Sequence, residues 1–296
     1  MKIIIIGCGQ IGFSHLKSFI NSKSIYEIDV VDNKKRLSYL KKSVGNLKKT
    51  SINFKIKIPK NKIFDLAIIS TNSLERFKVF ENLVANNSIK LFIFEKFIFT
   101  KVLEFKKFEK LYKNYYNKII VNSFGAHIYQ KCGFDKKINK LVNISVKVKE
   151  GTLFTGMIHY FDLFYLLTKK SFKIDFSNIK NLIKSKRLNY KEGNGEIKAE
   201  NINGKLNIST SKKIDLIIKF EINRQFHSLK LNKNKFYFFK NNNLIKIFPF
   251  PLAYLTTEKL FKNKLKHYRN YNYLSKISLE ILYSLNKSQN KKIFIT

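Results

Sequence analysis

Apolar residues follow two different rhythms along this chain. Up to about residue 120, short continuous runs alternate with segments spaced three and four apart. Ile3–Ile6 is an unbroken run, the pattern of a strand buried on both faces of a parallel sheet. Ile11, Leu16, Phe19 and Ile20 then recur at helical spacing, and Ile28–Val31 forms a second strand ending at Asp32. Ile52, Phe54, Ile56 and Ile58 alternate with polar residues, which predicts an edge strand with one wet face. Leu66–Ser70 and Leu91–Phe94 are two more buried runs, separated by a helical stripe of Leu74, Phe77, Phe80 and Val84. A helix near Val102–Tyr116 and a strand at Ile119–Val121 complete the series. This alternation predicts an α/β fold, a doubly wound parallel sheet.

Beyond residue 121 the rhythm changes. Residues 141–148 alternate as a strand, and Met157–Leu167 has the density of a buried helix. From Ile179 to Phe250, strand-like runs are separated by Asn/Gly turns such as Glu192-Gly193-Asn194-Gly195 and Asn203-Gly204. That predicts an α+β domain on a largely antiparallel sheet. Ile277, Leu279, Ile281, Leu282 and Leu285 mark a last helix, followed by a short strand at Ile293–Ile295. The expected division is 1–120 and 121–296.

Composition removes several function classes. Apolar residues are 44% of the 296, enough for ordinary globular cores. No apolar run nears the roughly 18 residues of a membrane helix, and the N-terminal run is too short for a secretory core. Cys8 and Cys132 are the only cysteines, so neither a disulfide framework nor a cysteine metal cluster is expected. A cytoplasmic setting and no metal follow as expectations. The net charge of +38 comes from lysines spread through every segment, accompanied by heavy use of Asn, Ile, Phe and Tyr. A genome-wide bias toward A- and T-rich codons accounts for it, and there is no arginine-rich patch, zinc-finger spacing or RNP-type aromatic motif. Specific nucleic-acid binding is therefore not expected.

Gly7-Cys8-Gly9-Gln10-Ile11-Gly12 matches G-x-G-x-x-G directly after the first strand. The first glycine permits the tight turn, the second lets a pyrophosphate approach the backbone, and the third lets helix pack on strand. The amides that open the following helix face the phosphates. Asp32 lies 20 residues past Gly12, where a carboxylate accepts hydrogen bonds from the adenosine ribose. This favours NAD, while Lys34, Lys35 and Arg36 keep NADP open as the alternative.

Phe94-Glu95-Lys96 closes the fifth strand, at the carboxyl edge where open α/β sheets bind ligands. Taken with "FDLAIISTNSLERF" (64–77), "LFIFEKF" (91–97), "GTLFTGMIHYFDLFYLL" (151–167) and "SLEILYSLNKSQNKKIFI" (278–295), the chain resembles the Gfo/Idh/MocA oxidoreductases over nearly its whole length. The resemblance implies that Ser70, Thr71, Asn72, Glu95 and Lys96 line the nicotinamide side, beside Gly7, Gly9, Gln10, Ile11, Gly12 and Asp32. It places His159 as the catalytic histidine, with Lys96 on the same reacting oxygen. Thr155 and His127 join them as substrate residues, and Asp162 orients or packs nearby.

Two departures stand out: Phe97 replaces the proline of Glu-Lys-Pro, and Thr155 stands where many members carry an acid. The implied reaction is hydride transfer between nicotinamide and a hydroxyl-bearing carbon of a sugar or nucleotide sugar, with His159 taking the hydroxyl proton. A surface-polysaccharide role and a homodimer or homotetramer, joined through a flat β face with exposed Ile and Phe, go with it. The alternative is a non-catalytic dinucleotide-binding sensor or assembly protein. His15 reads as packing, and His227 and His267 as surface residues.

Overall fold

The computed structural model of the chain describes all residues except 45–49, 135–140, 186–189, 223, 263–270 and 290–296. His267 and the expected strand at Ile293–Ile295 lie outside the described residues. By its internal contacts the chain divides into two compact units, Met1–Asn122 with Pro251–Ser275, and Ser123–Phe250 with Lys276–Thr296.

The first unit holds a six-stranded parallel sheet of β1 (Lys2–Ile6), β2 (Glu27–Val31), β3 (Ser51–Lys55), β4 (Leu66–Ile69), β5 (Phe92–Glu95) and β6 (Ile119–Asn122). Their order is β3-β2-β1-β4-β5-β6, which reverses direction at β1. That is the doubly wound arrangement expected from the alternation, and the reversal opens a crevice at the carboxyl ends of β1 and β4. The continuous runs are buried: Ile3, Ile4, Ile5 and all of β4 are inaccessible to solvent. β3 is the expected edge strand, but it ends at Lys55, leaving Ile56 exposed and Ile58 beyond it. A separate two-stranded ladder pairs Lys62–Phe64 with Asn87–Ile89.

Helices α1 (Gln10–Ile20), α2 (Lys34–Val44), α3 (Ser73–Asn86) and α4 (Val102–Leu111) connect the strands. Phe80 of α3 lies 4.9 to 5.7 Å, ring to ring, from Phe92, Phe94 and Phe108. Each such ring contributes about 1.5–3 kcal/mol by leaving water. The helix expected to run to Tyr116 stops at Leu111, and a 3₁₀ turn spans Lys113–Lys118.

The second unit opens with α5 (Gly125–Lys131), then β7 (Val142–Lys149) and α6 (Leu153–Thr168). β8 (Lys173–Asp175), β9 (Ile179–Lys184), β10 (Lys191–Asn201), β11 (Gly204–Ser211), β12 (Leu216–Ile222), β13 (Gln225–Asn232), β14 (Lys235–Lys240) and β15 (Asn243–Pro249) follow. The sheet runs β8-β10-β11-β7-β12-β13-β14-β15, with β9 on β10, and every pair except β11–β7 is antiparallel.

Alternation sorts the two faces of this sheet. Val142, Ile144, Val146 and Val148 of β7 are buried, as are Leu206 and Ile208 of β11 and Ile218 and Phe220 of β12. The opposite face carries Asn143, Ser145, Lys205, Asn207, Lys219 and Glu221 and bounds a broad open hollow. A face of exposed Ile and Phe was expected there, and Ile217 and the exposed Phe226 lie on it among these polar groups. Further exposed apolar side chains sit on the last strand, as Leu244, Ile245 and Ile247. α7 (Ala253–Phe261) returns the chain to the first unit, against α1, and α8 (Tyr271–Gln289) is the expected last helix.

Candidate functional site

The glycine loop of the first unit is shaped by what its glycines leave out. Gly7 holds φ at +82°, and its N–H donates to Val31 O at 3.0 Å. A Cβ on Gly7 would lie 2.7 Å from the Thr71 amide nitrogen, and one on Gly12 only 2.1 Å from Gly7 O. Close backbone contact therefore excludes a side chain at both positions. A Cβ on Gly9 would meet no atom within 4 Å, so this glycine leaves open space at the start of α1. That space, beside unpaired helix amides, is the cradle a pyrophosphate needs. Gln10 and Ile11 are exposed in the same first turn, while Cys8 is buried, its thiol pushed up to about 12 by desolvation.

Asp32 stands at the end of β2 and accepts the Cys8 N–H at 2.7 Å and the Asn33 N–H at 2.7 Å. Arg36, in the first turn of α2, donates to Cys8 O at 2.6 Å and Gly9 O at 3.2 Å. The loop is thus gripped on its donor side by a carboxylate and on its acceptor side by a guanidinium. Ser70 donates to Gly7 O at 2.6 Å, tying the end of β4 to the same turn. Asn72 is exposed and precedes α3 without a side-chain capping bond.

Below Lys96 lies a buried polar assembly. Arg76 is 2% exposed and donates to Thr71 O at 2.6 Å, Glu95 O at 2.7 Å, Ile98 O at 3.2 Å and Phe97 O. One guanidinium therefore pins the backbone on both sides of Lys96 to the loop after β4. Phe97 is itself buried, so the position expected to hold proline is fixed by packing and by Arg76.

Glu95 accepts from Asn122 at 2.6 Å, and its Oε1 is 2.8 Å from Nε2 of the fully buried His15. Burial alone would raise the Glu95 carboxyl, but its bond to and charge from His15, the Asn122 bond and the Arg76 charge outweigh it. The net direction is downward. On the other side of the ring, the Thr257 hydroxyl donates to Ala253 O, so His15 Nδ1 must donate to Thr257 Oγ1 at 2.7 Å. Both ring nitrogens of His15 are thus engaged by partners inside the first unit. Packing was expected of His15, and its buried ring is also a polar tie between Glu95 and Thr257.

In the second unit, His159 sits on α6 with Thr155 one turn before it. Phe124 N–H donates to His159 Nδ1 at 3.2 Å, Ser123 Oγ lies 3.1 Å from the same nitrogen, and the Phe124 ring stacks on the imidazole at 3.9 Å. Thr155 is half-buried, and its hydroxyl donates to Glu192 of β10. Glu192, 3% exposed, also accepts the Phe154 N–H at 2.9 Å and the Thr155 N–H at 3.3 Å. A carboxylate therefore does stand at the first turn of this helix, supplied by a neighbouring strand. Gly193 permits the approach, since a Cβ there would lie 2.6 Å from the Phe154 ring.

Asp162 is fully buried, and a Cβ on Gly125 would meet its Oδ2 at 2.7 Å, so this carboxylate packs against α5. His127 is buried on α5 with its ring 6.0 Å from that of Phe248. His227, expected at the surface, is half-buried and stacks on Phe238 at 5.7 Å. Among the described residues no group of His, Cys, Asp and Glu could hold a metal ion. Likewise no described helix is long and apolar enough to cross a membrane.

No protein-family profile matches the sequence, and no curated protein matches it. Solved structures do. A dehydrogenase (MviM) from Clostridium difficile superposes at TM-score 0.66 and 13% identity, covering 96% of this chain and 99% of that one. The UDP-N-acetylglucosamine 3-dehydrogenase GnnA from Acidithiobacillus ferrooxidans gives 0.65 at 11% identity, covering 96% and 97%. A Gfo/Idh/MocA family oxidoreductase from Vibrio cholerae gives 0.65 at 12% identity, covering 98% and 100%. Together with the glycine turn at the switch point of the parallel sheet, these likenesses establish that the chain has the fold of the Gfo/Idh/MocA oxidoreductases.

Proposed function

We propose that the protein is an NAD(P)-dependent oxidoreductase acting on a hydroxyl-bearing carbon of a sugar, sugar derivative or nucleotide sugar. The observation that carries this reading is the open cradle over Gly9, flanked by Gly7 and Gly12, which backbone contact keeps bare. When bound, the nicotinamide nucleotide supplies or takes the hydride.

The first unit does the binding. The amides at the start of α1 hold the pyrophosphate, and Asp32 accepts from the ribose hydroxyls. NAD is the favoured nucleotide, because the Asp32 carboxylate repels a 2′-phosphate and Arg36 is already engaged with Cys8 O and Gly9 O. Thr71 and Lys96, on loops pinned together by Arg76, serve the nicotinamide end. The Lys96 ammonium favours negative charge developing on the substrate oxygen. The second unit, from residue 123 onward, binds the substrate through Thr155, His127 and His159. A nucleotide-sugar substrate accords with the likeness to the UDP-N-acetylglucosamine 3-dehydrogenase.

Titration calorimetry with NAD, NADH, NADP and NADPH tests the first part, with tighter binding of the NAD pair expected. Absorbance of the reduced nucleotide, followed with a panel of sugars and nucleotide sugars, tests the second. Loss of turnover in Lys96→Ala and His159→Ala is expected, and turnover surviving both substitutions would falsify the site. Tight nucleotide binding without turnover on any sugar would favour the non-catalytic binder instead.

A further inference from the structure

We infer that Arg76 is a positioning residue for the nicotinamide end of the site, fixing the backbone that presents Lys96 beside Thr71. This rests on the reading of the first unit as the nucleotide-binding half, and it divides the work within that unit. The glycine loop holds the phosphates, and Arg76 sets how the ring is received.

Helix stability does not explain an arginine at this position. Arg76 is the fourth residue of α3, at the positive end of the helix dipole, where a cation is disfavoured. It is also 2% exposed, and a buried charge is costly unless fixed dipoles or an opposite charge surround it. The compensation here is main-chain oxygen. Nη2 donates to Thr71 O at 2.6 Å, and Nη1 donates to Glu95 O at 2.7 Å, to Ile98 O at 3.2 Å and to Phe97 O.

These oxygens belong to the two loops that the nicotinamide end requires. From Phe92 to Thr100 every residue is buried except Lys96, which is half-buried, so Lys96 alone of this run reaches the surface. The peptide unit of Glu95 O ends at the Lys96 nitrogen, and a bond to that oxygen fixes the plane from which the lysine departs. Phe97 has no ring to lock its own φ or to restrict Lys96 before it, so the restraint comes from outside the segment. The Thr71 backbone in turn stands where a Cβ on Gly7 would collide with it. Through one planar fork, Lys96 is registered to the loop that abuts the pyrophosphate turn. A lysine ammonium offers its donors from a single nitrogen and lacks that fork.

The glycine loop is tied independently. Asp32 accepts the Cys8 N–H, Arg36 donates to Cys8 O and Gly9 O, and Ser70 donates to Gly7 O. Altering Arg76 should therefore spare the grip on adenosine and pyrophosphate and damage the reception of nicotinamide. A residue that merely held the unit together would damage both alike.

ADP-ribose, which is the dinucleotide without its nicotinamide, separates the two cases. Calorimetry on the parent should show NADH bound more tightly than ADP-ribose. In Arg76→Lys the ADP-ribose affinity should stay within about twofold, and the NADH affinity should fall about tenfold. Millimolar guanidinium should restore the NADH preference to Arg76→Ala, and ammonium at the same concentration should not. On any sugar that proves active, kcat of Arg76→Lys should fall about 10²-fold with little change in the sugar KM. If no sugar is turned over, calorimetry alone decides. Equal losses for both ligands, a parent without preference for NADH, or variants that fold only with guanidinium overturn the assignment and leave Arg76 a structural residue. Failure of the parent to bind either ligand is the separate result that ends the nucleotide-binding reading itself.

Discussion

Two buried histidines of this chain, His15 and His159, sit in different surroundings. Around His15 stand acceptors: a threonine oxygen whose proton is spent on Ala253 O, and the Glu95 carboxylate at 2.8 Å. Nδ1 of His159 accepts the Phe124 N–H and lies 3.1 Å from the Ser123 hydroxyl. The first ring is held between oxygens, the second beside a backbone donor. Residue type is the same, and the neighbours choose the chemistry.

The same contrast runs through the candidate sites. In the first unit the site is made by leaving side chains out, and in the second by burying them.

The sharpest way to break that contrast is to put a side chain where none fits. Gly12→Ala should destabilise the first unit by about 2 kcal/mol or more, because the new Cβ would fall 2.1 Å from backbone. Nucleotide binding in calorimetry should vanish with it. Gly9→Ala is the control, with an unchanged urea midpoint but weakened nucleotide binding, since its Cβ enters only the open cradle. Equal thermal destabilisation by both substitutions would show that the glycines serve packing alone.

In the second unit the matching experiment removes a side chain. Glu192→Ala strands two amides and a hydroxyl at the start of α6, at a cost of about 1–3 kcal/mol. Glu192→Gln keeps one acceptor oxygen and should recover part of that loss in a denaturant titration. A midpoint unmoved by either change would mean that water replaces the carboxylate.

Acid should sharpen the comparison further. The Glu95 carboxyl is held below its ordinary value in the folded chain, so the unfolded chain takes up that proton first as pH falls. The stability it contributes is therefore complete above the unfolded value near 4.3 and is lost as pH drops through the folded one. Urea midpoints between about pH 3 and 6 should fall less steeply in Glu95→Gln than in the parent. The smallest effect concerns Cys8. With its thiol pushed up to about 12 by burial, it should resist alkylation at about pH 8 until the protein is unfolded.

Much of the first unit was legible in the sequence, because its signals are local. Buried parallel strands read as continuous runs, and the glycine triplet and Asp32 lie within one strand–helix–strand unit. What escaped was held by partners distant in sequence. Glu192 stands 37 residues from Thr155 in the chain, inside a strand whose alternation gives no hint of a helix end. Arg76 sits beside the apolar stripe of α3, and its one visible signal is that arginine is rare beside lysine in this chain. The short α5 and α7 were missed, and with them the groups that set both histidines. Ser123 and Phe124 adjoin α5, and Thr257 lies on α7.

α7 also fixes an order of events on the ribosome. The first unit draws Thr257 and Glu258 from a segment that is translated only after residues 123–250. His15 therefore emerges from the exit tunnel long before the hydroxyl that receives its proton. Domains usually complete themselves from the N-terminus as they are made. Here the nascent first unit waits, lacking α7, while residues 123–250 are synthesised.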